Sequence, residues 1–391
     1  MKRILLLSFY HPPDLCAGSF RCGALLDAMR EKLPDDVFVD VLTTLPNRYS
    51  GFTPDAPADE QKERIRVRRF AIPSHKSGMA AQANSFRVYA QQVAKAVVGH
   101  RYDLVVGTSS RLMTASLAAA LAAASRCPLY LDIRDIFADT IGDVLDGVRG
   151  QAAKVVFEQL ERATMHSASV VNLVSEGFAP YFRERYPTLP LTFHTNGIDP
   201  LFRVDVDEQR TPNTPPLITY AGNIGEGQGL HHIVPPLARR LAGRARFRII
   251  GAGGRLDALR QACSDADNVE LLAPVDRETL VQLYQQSDVL LMHLNDHEAF
   301  HKVLPSKVFE YGALGKPILA GVGGFAARFV RDELDNAAVF APNDPVAGAA
   351  AFDALHLRER RRDAFVDKHT RESIMGRMAD DIFNVLHGEF P

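Results

Sequence analysis

Residues 217–254, LITYAGNIGEGQGLHHIVPPLARRLAGRARFRIIGAGG, decide the fold class. Leu217–Ala221 is a short apolar run, and Gly222–Gly229 is dense in glycine. An amphipathic stretch follows, and Arg246–Ile250 runs into a second cluster, Gly251-Ala252-Gly253-Gly254. Strand, glycine turn, helix and strand in that order predict a parallel βαβ unit.

The alternation continues in both directions. Downstream, Val269–Leu272, Val289–His293, Ile318–Ala320 and Val339–Ala341 read as strands. Upstream, the strand runs are Ile4–Leu7, Val37–Leu42, Ile65–Phe70, Leu104–Gly107, Leu129–Asp132 and Val170–Val174. Helical patterns such as Phe20–Glu31, Asn84–Val98, Leu112–Ala123 and Ala152–His166 separate most of them. Runs apolar on both faces need a parallel sheet covered by helices on both sides. The expected fold is therefore α/β, two Rossmann-like doubly wound parallel-sheet domains facing each other across a cleft. Six prolines and Asn196-Gly197 punctuate residues 187–216, which marks an interdomain crossing. The predicted organisation is an N-terminal domain at 1–196 and a C-terminal domain at 197–365. A helix within 366–391 is expected to cross back to the first domain; the helical pattern of this charged tail begins near Arg358.

A chain of 391 residues is long enough for about two cores. The 46% apolar and 24% charged shares exclude a disordered or fibrous protein. A net charge of -2 argues against a dedicated nucleic-acid binder. The four cysteines form no CxxC pair, which predicts a reduced, cytoplasmic compartment. The opening MKRILLLSFYHPPD is too short in apolar residues for a signal peptide and reads as a buried first strand. Arg126 and Pro128 split the low-charge stretch 112–133, so no transmembrane span is expected.

In open α/β sheets ligands sit beyond the carboxyl ends of the strands. Gly18 opens a helix after the first strand, and Gly222, Gly251 and Gly253 follow two others. Glycine there lets backbone N–H groups approach a phosphate at a helix N-terminus. Each loop taken singly is equally what a tight turn requires. The segment VLPSKVFEYGALGKPI (303–318) adds Pro305 as a helix start, with Ser306 and Lys307 in the first turn and Glu310 three residues on. A carboxylate there suits vicinal ribose hydroxyls, and a lysine suits a diphosphate. The same spacing is also that of an ordinary ion pair, and only its combination with the glycine loops points to a nucleotide. His11 follows the first strand. His231-His232 open a helix, with surface contact as their default reading. Asp205-Val206-Asp207 and Asp265-Ala266-Asp267 lie in polar stretches, so no metal site is expected. On the first domain, Arg21, Lys76 and Phe86 join His11 as acceptor-side candidates. The basic run Lys62–Arg69 and the mixed stretch Ser74–Tyr89 suit an anionic substrate at a membrane surface, or else a strand edge and a packed helix.

Pro305-Ser306-Lys307, Glu310-Tyr311 and Gly315-Lys316-Pro317, with Thr195-Asn196-Gly197-Ile198-Asp199 and Phe202, resemble glycosyltransferase family 4. That resemblance implies the GT-B fold and a retaining transfer from a nucleotide sugar without a required metal or other cofactor. Glu310 matches the second glutamate of the family's E-x7-E motif, implied to hold the ribose. Lys302 stands where the first glutamate would fall, with Glu298 nearby. Asn223 and Gln228 take the places of the Arg/Lys pair that usually holds the diphosphate. The resemblance implies donor contacts for Gly18, Gly251, Gly253, His301, Lys302, Leu304, Ser306 and Lys307. It implies catalytic roles for Arg134, Asp135 and Lys307. The stretch Asp132-Ile133-Arg134-Asp135-Ile136-Phe137 is similar to the branch that adds N-acetylfucosamine-type amino sugars in bacterial O-antigen and capsule synthesis. The function so implied is transfer from a UDP-sugar to a lipid-linked, polyprenyl-diphosphate-type glycan. It would act peripherally on the cytoplasmic face of the inner membrane. A GT-B-fold UDP-sugar epimerase and a non-catalytic nucleotide-sugar-binding partner of another transferase are the alternatives.

Overall fold

The computed structural model describes residues 1–14, 16–47, 55–73, 79–109, 111–136 and 147–389. It divides into two compact units: residues 1–196 with 372–391, and residues 197–371.

In the first unit the strands are β1 (Lys2–Ser8), β2 (Val37–Thr44), β3 (Asp59–Lys62), β4 (Ile65–Phe70), β5 (Leu104–Ser109), β6 (Leu129–Ile133), β7 (Val170–Leu173) and β8 (Leu191–Thr192). They form one sheet in the order β3-β4-β2-β1-β5-β6-β7-β8. Every pairing is parallel except β3 with β4. Helices α1 (Ala17–Lys32), α2 (Met79–Val97), α3 (Leu112–Ser125), α4 (Gly147–His166) and α5 (Ala179–Arg185) lie between strands. Ile4–Leu7 are fully buried, as a central strand covered on both faces requires.

Two strands lie outside the apolar pattern. β3 reads Asp-Glu-Gln-Lys and is exposed along its length. It is a charged edge strand, so period-2 burial cannot mark it. Its turn at Glu63 takes a positive φ of 55°. β8 has two residues, too few for any pattern. The basic run belongs to this edge. Ile65 and Val67 are buried, while Arg66 pairs with Asp59 and Arg69 with Glu60.

The second unit has β9 (Leu217–Asn223), β10 (Arg246–Ala252), β11 (Val269–Leu272), β12 (Val289–His293), β13 (Ile318–Gly321) and β14 (Ala337–Phe340). All run parallel in the order β11-β10-β9-β12-β13-β14, the doubly wound order in which the chain returns to the middle of the sheet. Its helices are α6 (Leu230–Arg240), α7 (Leu256–Ala262), α8 (Arg277–Gln286), α9 (Lys307–Ala313), α10 (Gly324–Glu333), α11 (Pro345–Ala354) and α12 (Asp363–His369).

The tail departs from one continuous helix. Residues 358–362 are tied down instead: the Arg360 N–H donates to the Gly315 carbonyl at 2.8 Å, and Arg362 donates to the carbonyls of Asp335 and Lys316. α12 then packs Phe365 and His369 against Phe309 and Phe329. α13 (Arg371–His387) carries the stripe Met375, Met378, Ala379, Ile382, Phe383 and Leu386 into the core of the first unit, with β1, β2 and α1. Among the described residues no helix is long and apolar enough to cross a membrane.

Candidate functional residues of the two units

In the first unit the carboxyl ends of β1 and β6 carry the chemistry. Gly18 lies in the first turn of α1, and a Cβ there would collide with the guanidinium of Arg134. The glycine therefore lets Arg134 lie flat against the start of α1. Asp135 follows it, and burial pushes its carboxyl up to about 6 against the pull of Arg134. A group poised there can hold or release a proton near neutrality.

Beneath them lies a closed ionic network. Asp132 is 0% and Arg21 is 1% exposed. Arg21 donates through Nε and Nη2 to the two Asp132 oxygens, both at 2.8 Å. Thr108 Oγ1 and Asn172 Nδ2 each donate to the same carboxylate at 2.8 Å. Burial alone would raise the Asp132 carboxyl, yet Arg21 and these donors hold it below its ordinary value. The remaining Arg21 donors reach the carbonyls of His194 and Thr195, both at 2.7 Å.

Three of the acceptor-side candidates have interior side chains. Arg21 is spent inside the fold, because burying a guanidinium demands full pairing. Phe86 is 9% exposed and packs in an aromatic cluster with Phe9 and Tyr89. His11 is 6% exposed, and burial lowers its imidazole to about 4, so the ring is neutral near pH 7. Its Nδ1–H donates to the Pro12 carbonyl at 3.0 Å, and its Nε2 has no hydrogen-bond partner. Lys76 and Phe137 lie outside the described residues.

The second unit arranges its candidates along the carboxyl edge of its own sheet. Gly222 ends β9 opposite Gly251 of β10. Gly251 has φ +149°, and a Cβ there would collide with the Gly222 carbonyl oxygen. A Cβ at Gly253 would likewise crowd the Ile224 carbonyl, though less severely. These two glycines are required by strand-to-strand packing, whatever else binds there. Gly222 is different, because its Cβ would strike the Lys307 amine. The same amine lies 5.2 Å from the centre of the Tyr220 ring.

Lys307 starts α9, and Glu310 follows one turn later on the same helix. No hydrogen bond reaches the Glu310 carboxylate among the described residues. Burial raises its carboxyl, offset only in part by Lys307, Arg371 and Arg277. Those two arginines are already committed to Asp199, Arg277 at 2.6 Å and Arg371 at 2.7 Å. Asp199 also caps the turn at Leu201, so it anchors the chain within this unit.

Asn223 and Gln228 hold each other, Nδ2 to Oε1 at 2.7 Å, a neutral pair on the glycine loop. His301 faces Asp296 at 2.9 Å and leans on Gly323. Lys302 ends the short turn Glu298–Lys302, and Ser306 caps α9 without a side-chain bond. Leu304 is 5% exposed and lies in the core, so any ligand contact there is left to its backbone. The Asp265 of one acidic string is committed to Arg239 at 2.6 Å.

Nothing local in the sequence singles out His293, Asn295 and Asn343. His293 ends β12, donates through Nδ1 to the Gln228 carbonyl at 2.7 Å, and accepts from the Asn343 N–H through Nε2 at 3.0 Å. Asn343 in turn donates to Asn295 at 2.7 Å. Burial lowers His293 to about 4, so it is a neutral strut for the glycine loop. Position at a strand's carboxyl end is the one signal that marks it.

Comparison with known proteins places this geometry. Residues 25–197 match the family of glycosyl transferase 4-like domains, and residues 203–371 match glycosyl transferases group 1. A D-inositol 3-phosphate glycosyltransferase of Xylanimonas cellulosilytica is 30% identical over 158 residues, 39% of this chain and 36% of that protein. The chain thus spans about a third of that relative's length. Among solved structures, the sucrose-phosphate synthase of Thermosynechococcus elongatus is similar with TM-score 0.76 and 15% identity, covering 99% of this chain and 100% of that one. Anabaena HepE, solved with UDP and glucose, is similar with TM-score 0.60 and 16% identity, covering 99% and 98%. Each domain thus matches a glycosyltransferase domain family, the first the 4-like domains and the second group 1, and the two parallel-sheet domains are those of the GT-B fold.

Proposed function

We propose that the protein is a retaining, hexosyl-type glycosyltransferase that takes a UDP-sugar donor. The observation that carries this reading is Glu310, a carboxylate without a hydrogen-bond partner beside Lys307 and the Gly222 turn. Ribose hydroxyls would supply the donors that Glu310 lacks. Lys307 would meet the diphosphate, with Asn223 and Gln228 contributing neutral hydrogen bonds. Arg134 and Asp135 are assigned to the transfer step, with stabilisation of developing charge as the main task. No carboxylate pair at glycosidase spacing and no metal is needed for a front-face transfer assisted by the leaving diphosphate.

The acceptor in this reading is a lipid-linked saccharide of bacterial surface polysaccharide synthesis, reached at the cytoplasmic face of the membrane. The sugar moved is an N-acetylated amino or deoxy sugar. The resemblance of residues 132–137 to the amino-sugar branch supports it. A soluble phosphorylated polyol is the second reading, favoured by the name of the Xylanimonas relative. A thermal-shift panel of UDP, GDP, ADP, CMP and UDP-amino sugars tests the donor, since ligand stabilisation scales with affinity and concentration. A UDP-selective rise supports it, and no rise with any nucleotide overturns it. UDP release measured with lipid-linked glycan and with inositol phosphate then separates the acceptors.

A further inference from the structure

We propose that Glu226, His231 and His232 bind one divalent transition-metal ion of the zinc class, at a site separate from the donor residues above. The three side chains come from two short adjoining pieces. Glu226 opens the turn Glu226–Gln228, and the histidines occupy the first turn of α6. His231 Nε2 lies 3.8 Å from one Glu226 oxygen, and His232 Nε2 lies 4.0 Å from the other. The imidazole centroids are 3.9 Å apart, and the three ligand atoms all lie within 4.8 Å of one another. It is the only such group of three among the described residues.

Adjacent residues at a helix start normally diverge, yet here both rings turn to one carboxylate without hydrogen-bonding it. The His231 side chain is 11% exposed, and its Nδ1 is buried with no partner. Zinc–ligand bonds of about 2.0–2.2 Å in a tetrahedron place ligand atoms roughly 3.3 Å apart. The two imidazole–carboxylate separations, 3.8 and 4.0 Å, exceed that by roughly 0.5 and 0.7 Å, which side-chain rotation has to close on binding. Two imidazole nitrogens and one carboxylate oxygen suit Zn²⁺, Ni²⁺ or Cu²⁺, whereas Mg²⁺ and Ca²⁺ favour all-oxygen shells. Three protein ligands leave a position open for water.

Glu226 now pairs with Arg255, which is half-exposed and contributes little as a surface ion pair. A bound cation replaces Arg255 as the counter-charge. The Asn295 amide fixes the turn from the other side, donating to the Glu226 carbonyl at 3.2 Å. The metal therefore staples the Glu226–Gln228 turn to α6, and with it the loop that carries Asn223 and Gln228. The staple does not depend on the glycosyltransferase reading.

The test titrates Zn²⁺ and Mg²⁺ into the full chain and into His232→Ala and Glu226→Gln, reading melting temperature and the visible bands of substituted Co²⁺. His232 is half-exposed, so its variant keeps the fold, which circular dichroism checks. Stoichiometric Zn²⁺ binding, a Co²⁺ spectrum with nitrogen and oxygen donors, and weakening of about tenfold or more in each variant are expected. No Zn²⁺ binding, equal stabilisation by Mg²⁺, or unchanged affinity in both variants would overturn the site.

Discussion

Asp132 in the first unit and Glu310 in the second stand in similar places, at the carboxyl edge of a doubly wound sheet, yet their surroundings are opposite. Asp132 is fully buried, doubly bonded to Arg21, and further satisfied by Thr108 and Asn172. Its carboxyl is held below the ordinary range. Glu310 has the desolvation without the partners, and its carboxyl is held above that range. Asp132, buried with every partner supplied, is part of the fold, whereas Glu310, half-buried and with no side-chain hydrogen bond among the described residues, is the carboxylate that the proposed function gives to a ligand. Burial alone does not separate structural from functional acids; completeness of hydrogen bonding does.

The largest effect that could break this contrast is at Asp132. Asp132→Ala leaves the Arg21 charge buried and unpaired, and should cost about 3–5 kcal/mol in chemical denaturation. A loss below about 1 kcal/mol would show that the network is not what holds the first unit.

Gly251→Ala tests whether the second unit's glycine edge is packing or ligand. With φ +149° and the Gly222 carbonyl against the site of its Cβ, the substitution should destabilise by on the order of 1–3 kcal/mol without any nucleotide present. Wild-type stability with lost UDP affinity would assign the glycine to the ligand instead.

Glu310→Ala should weaken UDP binding by about 1–3 kcal/mol by calorimetry, with little loss of fold stability. Unchanged affinity would sink the ribose assignment. The raised carboxyl adds a pH signature. Its folded value lies above its unfolded one, so the stability from the protonated form is present below the unfolded value. It is lost as pH rises through the folded value. Glu310→Gln stays neutral throughout, so its stability advantage over wild type should appear as pH rises from the acid range to neutrality. Denaturation midpoints at the two ends read this directly.

The smallest expected effect is a gain. Asn223→Arg places a cation on the loop where the chain now has a neutral amide pair, and should tighten UDP by about 1 kcal/mol through a charge-assisted bond. Weaker binding in that variant would mean the loop does not face the diphosphate.

Much of the fold is legible because buried parallel strands are continuous apolar runs, as in β1, β12 and β13, while β4 is marked instead by alternation, with Ile65 and Val67 buried on either side of Arg66. β3 carries neither mark, because an edge strand is stabilised by pairing and protected by charge. The site is legible in part. Lys307, Glu310 and Gly222 share motifs or strand ends, and the structure gathers them. Arg21, Phe86 and Leu304 look like ligand residues by position and prove to be interior ones. A pairing between residues 21 and 132 leaves no local trace in either segment.

By itself, the sequence determined what depends on neighbours along the chain: apolar periodicity, glycine turns after strands, proline at a helix start, and hence two α/β halves. Tertiary structure decided what depends on partners far along the chain. It determined that Asp132 is neutralised and Glu310 is not, that Gly251 serves a neighbouring strand, and that Glu226 meets two histidines. The reason is physical. Backbone conformation is set mainly by local sterics, whereas the state of a charge is set by every dipole and ion that folding brings within a few ångströms.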